Sequence, residues 1–275
     1  MKIALLGLGN MNGAILAGML AAGTDPADLC ATVHSEDSAR AAEERHGIAV
    51  SATERDPEAN RNAASGADVV VLGVKPKYIL ALCREIAGAL APEAVVASVA
   101  AGITTAAMEA QLPEGQPVVR SMPNTPLTVG LGTVGIAGGR AARPEHLAAA
   151  EQLFAGSGTV HRVAEDQIDA VAAVSGSGPA YAFLLAELMA AGGVELGLED
   201  ALARELARST VAGAGRMLAD PDVDPEALRR AVTSPNGTTE AAVNSFLEAG
   251  LARLIADGMR ASAERGRQIS QEAGA

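Results

Sequence analysis

The chain of 275 residues contains no tryptophan, two tyrosines and three phenylalanines, so aromatics make up only 2% of it. Ala, Val, Leu and Ile must build any core, and with 49% hydrophobic residues there is enough material for one large domain or two smaller ones. The two cysteines, Cys30 and Cys83, lie far apart. They make neither a disulfide framework nor a metal knuckle, which fits a reducing cytoplasm. Positive charge is scarce: 21 Lys and Arg stand against 33 Asp and Glu, a net −12 that argues against a nucleic-acid partner. No unbroken apolar run reaches membrane-spanning length, so no membrane association is expected. The first apolar stretch is interrupted by Gly7, Gly9, Asn10 and Asn12, unlike a secretory signal.

Residues 1–163 alternate short apolar runs with helical stretches. Strands are expected at Lys2–Leu6, Leu29–Val33, Val69–Val74, Val95–Val99, Val118–Ser121 and Thr133–Ala137. Such β-α alternation predicts a parallel, doubly wound α/β sheet with helices on both faces. From about Glu165 to Arg267 no strand pattern is present. Tyr181, Leu184, Leu185, Leu188 and Met189 follow helical spacing, and further helices are expected near 199–219, 225–233, 239–248 and 250–270. Breaks fall at Ser175–Pro179 and Thr233–Gly237. The expected organisation is a Rossmann-like domain over 1–163 followed by an all-helical domain over 164–275.

Ile3–Leu6 leads into Gly7-Leu8-Gly9-Asn10-Met11-Asn12-Gly13. Gly7 permits the tight turn, and Gly9 lets the backbone approach a pyrophosphate resting on the helix start. The third glycine of G-x-G-x-x-G falls on Asn12, a departure that leaves an ordinary βα turn as the alternative. At the second strand's tip stand Val33-His34-Ser35-Glu36, with Arg40 one turn on. Ser35 and Arg40 favour the 2′-phosphate of NADP, whereas Glu36 is suited to the ribose hydroxyl of NAD. His34 reads equally as a solvated loop histidine.

The helical half has neither lysine nor histidine: the lysines are Lys2, Lys75 and Lys77, and the last histidine is His161. Hydride transfer to a ketone needs a proton donor of tuned pKa. A hydroxyacid dehydrogenase with its lysine on that half is therefore disfavoured. Neither Tyr78 nor Tyr181 has a lysine four residues on, which removes the Tyr-x-x-x-Lys pair. No His, Cys and carboxylate cluster has metal-ligand spacing. What remains is an acceptor that asks little acid of the protein, such as a cyclic imine whose nitrogen arrives protonated.

Several segments resemble one family in order and spacing: Gly7–Met11, Val74-Lys75-Pro76, Ser98–Gly102, Arg120-Ser121-Met122-Pro123-Asn124-Thr125-Pro126, Ser175–Tyr181 and Thr233–Thr239. Together they span nearly the whole chain and resemble pyrroline-5-carboxylate reductase. The Met-Pro-Asn-Thr-Pro and Ser-Gly-Ser-Gly-Pro-Ala-Tyr stretches are the specific ones. The resemblance implies reduction of 1-pyrroline-5-carboxylate to L-proline with NADPH or NADH, and a helical domain that dimerises, often within decamers. It places Gly7, Gly9, Asn10 and Met11 at the pyrophosphate, Ser35 at the 2′-phosphate and Asn60 near the adenosine ribose. Val74, Lys75, Pro76, Ala100 and Asn124 would line the nicotinamide end. Read on its own, Ser234-Pro235-Asn236-Gly237-Thr238-Thr239 precedes a helix whose open N–H groups suit a carboxylate. There Ser234, Asn236, Gly237 and Thr238 would bind substrate, and the Thr239 hydroxyl would bond the ring nitrogen. Asn236 replaces the first of two glycines usual in the family, and Asn is among the few residues that tolerate the left-handed region.

Plainer readings stand beside these. Ser175–Pro179 reads also as a helix break, Lys75-Pro76 as a strand-ending turn, Thr238 or Thr239 as a helix cap, and Arg120 as half of an ion pair with a surface carboxylate. At the level of the whole chain, the alternatives are another oxidoreductase on the same scaffold and a non-catalytic NADP-binding protein.

Overall fold

The computed structural model describes residues 1–274. Its chain divides into two compact units, Met1–Gly176 together with the chain from Ser262, and Ser177–Ala261.

The first unit is built on eight strands: β1 (Ile3–Leu6), β2 (Leu29–Val33), β3 (Ala49–Ala52), β4 (Val69–Leu72), β5 (Val95–Ser98), β6 (Val118–Met122), β7 (Gly132–Gly138) and β8 (Gly158–Arg162). The order across the sheet is β3-β2-β1-β4-β5-β6-β7-β8. β1, β4 and β5 are buried at every residue, as parallel strands covered on both faces must be. Between the strands run α1 (Asn10–Ala21), α2 (Glu36–His46), α3 (Ala59–Ala64), α4 (Pro76–Ile86), α5 (Thr105–Glu109) and α6 (Pro144–Gln152), and α7 (Ile168–Val171) follows β8. Ile3, Leu5, Val69, Val71 and Val95 pack on one face with Ile15, Leu16 and Met19 of α1. Alternate residues Ala4, Leu6, Val70, Leu72 and Val96 pack on the other with Ile79, Leu82 and Ile86 of α4. This is the doubly wound arrangement.

Two strands go beyond the sequence reading, β3 and β8, and the sheet is mixed rather than wholly parallel. β7 runs antiparallel to β6, pairing Val119 with Gly138 and Met122 with Gly135. The segment joining them holds only a short 3-10 turn, Thr125–Val129. A parallel partner would need a crossover of a dozen or more residues, so reversal is the geometry available.

The second unit contains α8 (Gly178–Glu195), α9 (Asp200–Met217), α10 (Pro225–Ala231), α11 (Thr238–Glu248) and the first part of α12 (Leu251–Gly274). Asp224 caps α10 by accepting from the Glu226 and Ala227 amides, with Pro225 in the first turn. α8 and α9 pack closely where Gly193 faces Ala203. Ala190, Ala203 and Ala207 are the only buried residues of this unit. Phe183, Leu184, Leu185, Leu188, Phe246 and Leu254 are all more than half exposed. The helical run Glu165–Glu195 is long and apolar enough to cross a membrane by length and composition, a property the sequence reading did not expect of any segment.

Beyond Ser262, α12 belongs to the first unit. A Cβ at Gly102, whose φ is +75°, would strike Ile269 of that helix.

Candidate active site

The glycine loop is tied to the tip of β2. The Gly7 amide donates to the Thr32 carbonyl at 3.1 Å and to Thr32 Oγ1 at 3.3 Å, while the Leu8 amide donates to the same carbonyl at 2.9 Å. Gly7 adopts φ +84°, which a side chain would resist. Gly9 is the N-cap of α1, so no cap side chain covers the first-turn amides, and that turn carries no acidic residue. A Cβ at Gly9 would meet nothing within 4 Å. An anionic pyrophosphate fits this cradle: open space, exposed N–H groups and the positive end of the helix dipole.

Asn12, at the position of the usual third glycine, is fully buried and donates from Nδ2 to the Gly7 carbonyl at 3.1 Å. The close approach that this glycine normally permits is supplied instead by Gly73, just after β4. A Cβ there would run into Asn12 and come within 2.7 Å of the Gly7 carbonyl oxygen. The departure in the motif is thus a relocation of the small residue, and Asn12 braces the loop. An open groove of about 800 Å³ runs from this loop, lined by Gly9, Asn10, Gly13, Ser38 and Leu127 among others.

At the β2 tip, Ser35 is the N-cap of α2. Its Oγ accepts from the Ser38 amide at 3.3 Å and donates to Ser38 Oγ at 2.9 Å. Glu54 accepts from the Glu36 amide at 2.6 Å, and Arg55 pairs with Glu36 at 3.4 Å. Arg40 and Arg55 line a second groove of about 540 Å³ on this edge. His34 is exposed and reaches only Thr53, at 3.4 Å.

The remaining cofactor candidates of this unit follow neighbouring strands. Val74, Lys75 and Pro76 follow β4, with Pro76 opening α4. Ala100 follows β5 and is 7% exposed. Asn124 follows β6, accepts from the Thr133 amide at 2.9 Å and donates to the Ser175 carbonyl at 3.0 Å. Ser175 lies in a π-turn over Ala172–Gly176, an irregularity found disproportionately at functional sites. Strand order therefore gathers these residues along the carboxyl edge of the sheet, where open α/β sheets bind ligands.

Two networks escaped the sequence reading. Asn60 does not stand free: it bonds Thr32 at 2.7 Å and Glu85 at 2.9 Å. Arg120 does form the ion pair read as one alternative, but it is 4% exposed and has two partners, Asp169 at 3.2 Å and Glu165 at 3.8 Å, both only partly exposed. Glu165 also accepts from the Thr105 amide and hydroxyl. An arginine within an otherwise uncharged strand was the one signal of this network. Burial raises the Cys30 thiol and pushes that of Cys83 up to about 12, so neither is a thiolate nucleophile at neutral pH.

The loop Ser234–Thr239 lies in the second unit. Asn236 is the only non-glycine residue with positive φ, at +57°, among those described. Its amide donates to Glu240 Oε2 at 2.8 Å, and the Gly237 amide donates to the Ser234 carbonyl at 3.0 Å. Gly237 is the N-cap of α11 and has no side chain to fill that role. Thr238 and Thr239 occupy the first two helical positions, exposed.

Comparison with known proteins places the chain among relatives. Residues 165–269 match the family model for pyrroline-5-carboxylate reductase dimerisation. Residues 2–102 match the model described as NADP oxidoreductase, coenzyme F420-dependent. The pyrroline-5-carboxylate reductase of Pseudomonas aeruginosa is 40% identical over 99% of this chain and 98% of its own length. The chain belongs to the pyrroline-5-carboxylate reductase family. The Corynebacterium melassecola reductase is likewise 40% identical, over 98% of each chain. The solved pyrroline-5-carboxylate reductase of Coxiella burnetii superposes with a TM-score of 0.90 at 36% identity, covering 98% of each chain. Membership makes the chain an NAD(P)-dependent oxidoreductase with a self-associating helical region.

Proposed function

We propose that the chain reduces 1-pyrroline-5-carboxylate to L-proline, the last step of proline biosynthesis, and that Ser234–Thr239 holds the substrate. The observation that carries the substrate assignment is the start of α11. Its N-cap is a glycine, so the amides of Thr238 and Thr239 face no cap side chain, and the Thr239 hydroxyl has no partner among the described residues. Unfilled amides at a helix start favour a carboxylate, and the substrate has one. With the carboxylate on the Thr238 and Thr239 amides and Gly237 leaving room for its approach, the Thr239 hydroxyl accepts from the protonated ring nitrogen. Ser234 and Asn236 shape the turn beneath it.

NAD(P)H, when bound, supplies the hydride for the imine carbon. Gly7, Gly9, Asn10 and Met11 hold its pyrophosphate. Val74, Lys75, Pro76, Ala100 and Asn124 border its nicotinamide end. We read NADPH as the principal donor, with NADH also accepted, because Ser35 stands at the β2 tip and Arg40 lies one turn into α2. No protein acid is needed if the imine arrives protonated, so the residues contribute chiefly by positioning, worth up to about 7–11 kcal/mol in near-attack geometry.

The exposed apolar faces of α8 and α9 support a dimer and, by family resemblance, a decamer built from five dimers. Association through these faces in a cytoplasmic enzyme accounts for the apolar Glu165–Glu195 helix without a membrane, and the charge of −12 opposes nucleic acid. The test is loss of the reduced-nicotinamide absorbance band on adding pyrroline-5-carboxylate, with NADPH and NADH compared. Folded protein that shows no substrate-dependent loss with either overturns the assignment.

A further inference from the structure

Thr32 is 1% exposed, at the tip of β2 beneath the glycine loop. Its hydroxyl has one proton and two lone pairs. The proton goes to Asn60 Oδ1 at 2.7 Å, which leaves the oxygen free to accept from the Gly7 amide at 3.3 Å. Asn60 stands in α3, and its Nδ2 donates to Glu85 Oε1 of α4 at 2.9 Å. An ionised carboxylate only accepts, so Glu85 selects the amide orientation that turns Oδ1 toward Thr32. The reverse orientation would put Nδ2 against the Thr32 oxygen and leave a buried hydroxyl proton without an acceptor, at the cost of a lost hydrogen bond. A directed relay thus runs from Glu85 through Asn60 and Thr32 to Gly7.

We propose that Asn60, oriented by Glu85, is a positioning residue that sets the pyrophosphate loop through Thr32. The inference rests on the dinucleotide reading of the cleft. Gly7 turns the chain at φ +84°, and the amides beyond it are those that meet the pyrophosphate. A shift at the Gly7 amide is passed along the backbone to Leu8 and to Gly9, whose amide donates to the Gly7 carbonyl at 2.9 Å. Asn60 still has one donor and one acceptor position unused, so direct contact with a ribose is chemically open to it. The relay and a ribose contact make opposite predictions.

The experiment measures dinucleotide binding to the full-length enzyme by nicotinamide fluorescence. The variants are Thr32→Val, Asn60→Ala and the two combined. Competition by adenosine 2′-monophosphate, which has the ribose but no pyrophosphate, completes the set. Each single change is expected to weaken NADPH and NADH alike by about three- to tenfold, as for one lost hydrogen bond. The double variant should be no weaker than the worse single one, and adenosine 2′-monophosphate should bind as to the parent. Glu85→Leu, at an exposed position outside the sheet, should reproduce part of the loss, and Glu85→Gln should restore parental affinity. An Asn60→Ala loss that persists in the Thr32→Val background, or that extends to adenosine 2′-monophosphate, overturns the relay in favour of ribose contact. Unchanged affinity in Asn60→Ala overturns both roles. A parent enzyme that binds no dinucleotide defeats the proposed function itself, a separate result.

Discussion

Asn236 offers the sharpest test of the substrate loop. Its φ of +57° lies in the left-handed region, where a β-carbon crowds the following carbonyl. Asn tolerates that region better than Ala, and β-branched residues tolerate it least. Replacing Asn236 by Ala should therefore cost about 1 kcal/mol and by Val about 2 kcal/mol. The cost has two outlets. If the loop opens, the Glu240 bond to the Asn236 amide is lost and the start of α11 is no longer presented. KM for pyrroline-5-carboxylate then rises about fivefold per kcal/mol while kcat holds. If the loop stays closed, the melting temperature falls by about 2–4 °C per kcal/mol instead. Asn236→Gly relieves the strain but frees the unfolded chain, so its net effect should stay within about 0.5 kcal/mol. The neighbouring Gly237 differs: its φ is ordinary, but a Cβ there would sit 2.9 Å from the Ser234 carbonyl oxygen. Gly237→Ala should be the more damaging change for a steric reason. Steady-state kinetics and thermal melts at one protein concentration decide the matter. Asn236→Val with parental KM and parental melting temperature refutes the reasoning.

Thr239→Val keeps the shape and removes the hydroxyl. It should lower kcat by about ten- to a hundredfold with NADPH affinity unchanged, and parental turnover would remove Thr239 from the mechanism. Arg120→Met leaves Glu165 and Asp169 without their cation. That should cost about 3 kcal/mol, a drop of roughly 6–12 °C in a thermal melt, and a drop below about 2 °C contradicts a structural role. Leu188→Glu puts a charge on the exposed apolar face of α8. Sedimentation velocity should show dissociation, and an unchanged assembly would place the interface elsewhere.

What could be read from the sequence was what the backbone demands locally. Gly7 and Gly9 announce a turn and a close approach wherever they fall. The all-apolar β1, β4 and β5 announce buried parallel strands. β3 and β8 carry no such mark. β3 is the short Ala-Val-Ser-Ala, and β8 is a largely exposed edge strand ending in His161 and Arg162. Their strand state comes from pairing with β2 and β7, a tertiary effect. The reversal at β7 was legible in principle, because too few residues follow Met122 for a crossover. The bracing role of Asn12 was not, since it depends on Gly73, sixty-one residues away. The Arg120 and Asn60 networks join elements distant in sequence and leave no local spacing to detect. The left-handed turn at Asn236 was anticipated from the glycine usual in the family at that place together with the chemistry of asparagine.

The helical unit raises a question of stability that the sheet does not. Residues 177–261 bury three alanines and little else, while leucine and phenylalanine side chains of α8 and α11 stand in the open. Ordering each residue costs about 1–2 kcal/mol of backbone entropy, and three alanines cannot offset that. The exposed faces must contribute the missing burial, at about 25 cal/mol per Å² removed from water. The family model that spans 165–269 describes dimerisation, so a second copy is the natural source of that cover. Folding of this unit and association of the chain are then one equilibrium, and its stability depends on protein concentration. The apolar content of Glu165–Glu195 follows from the same cause, because a helix buried between copies must be apolar around much of its circumference. The scarcity of aromatics is compatible with this design, since alanine-rich helices approach closely and bury area by proximity rather than by side-chain size.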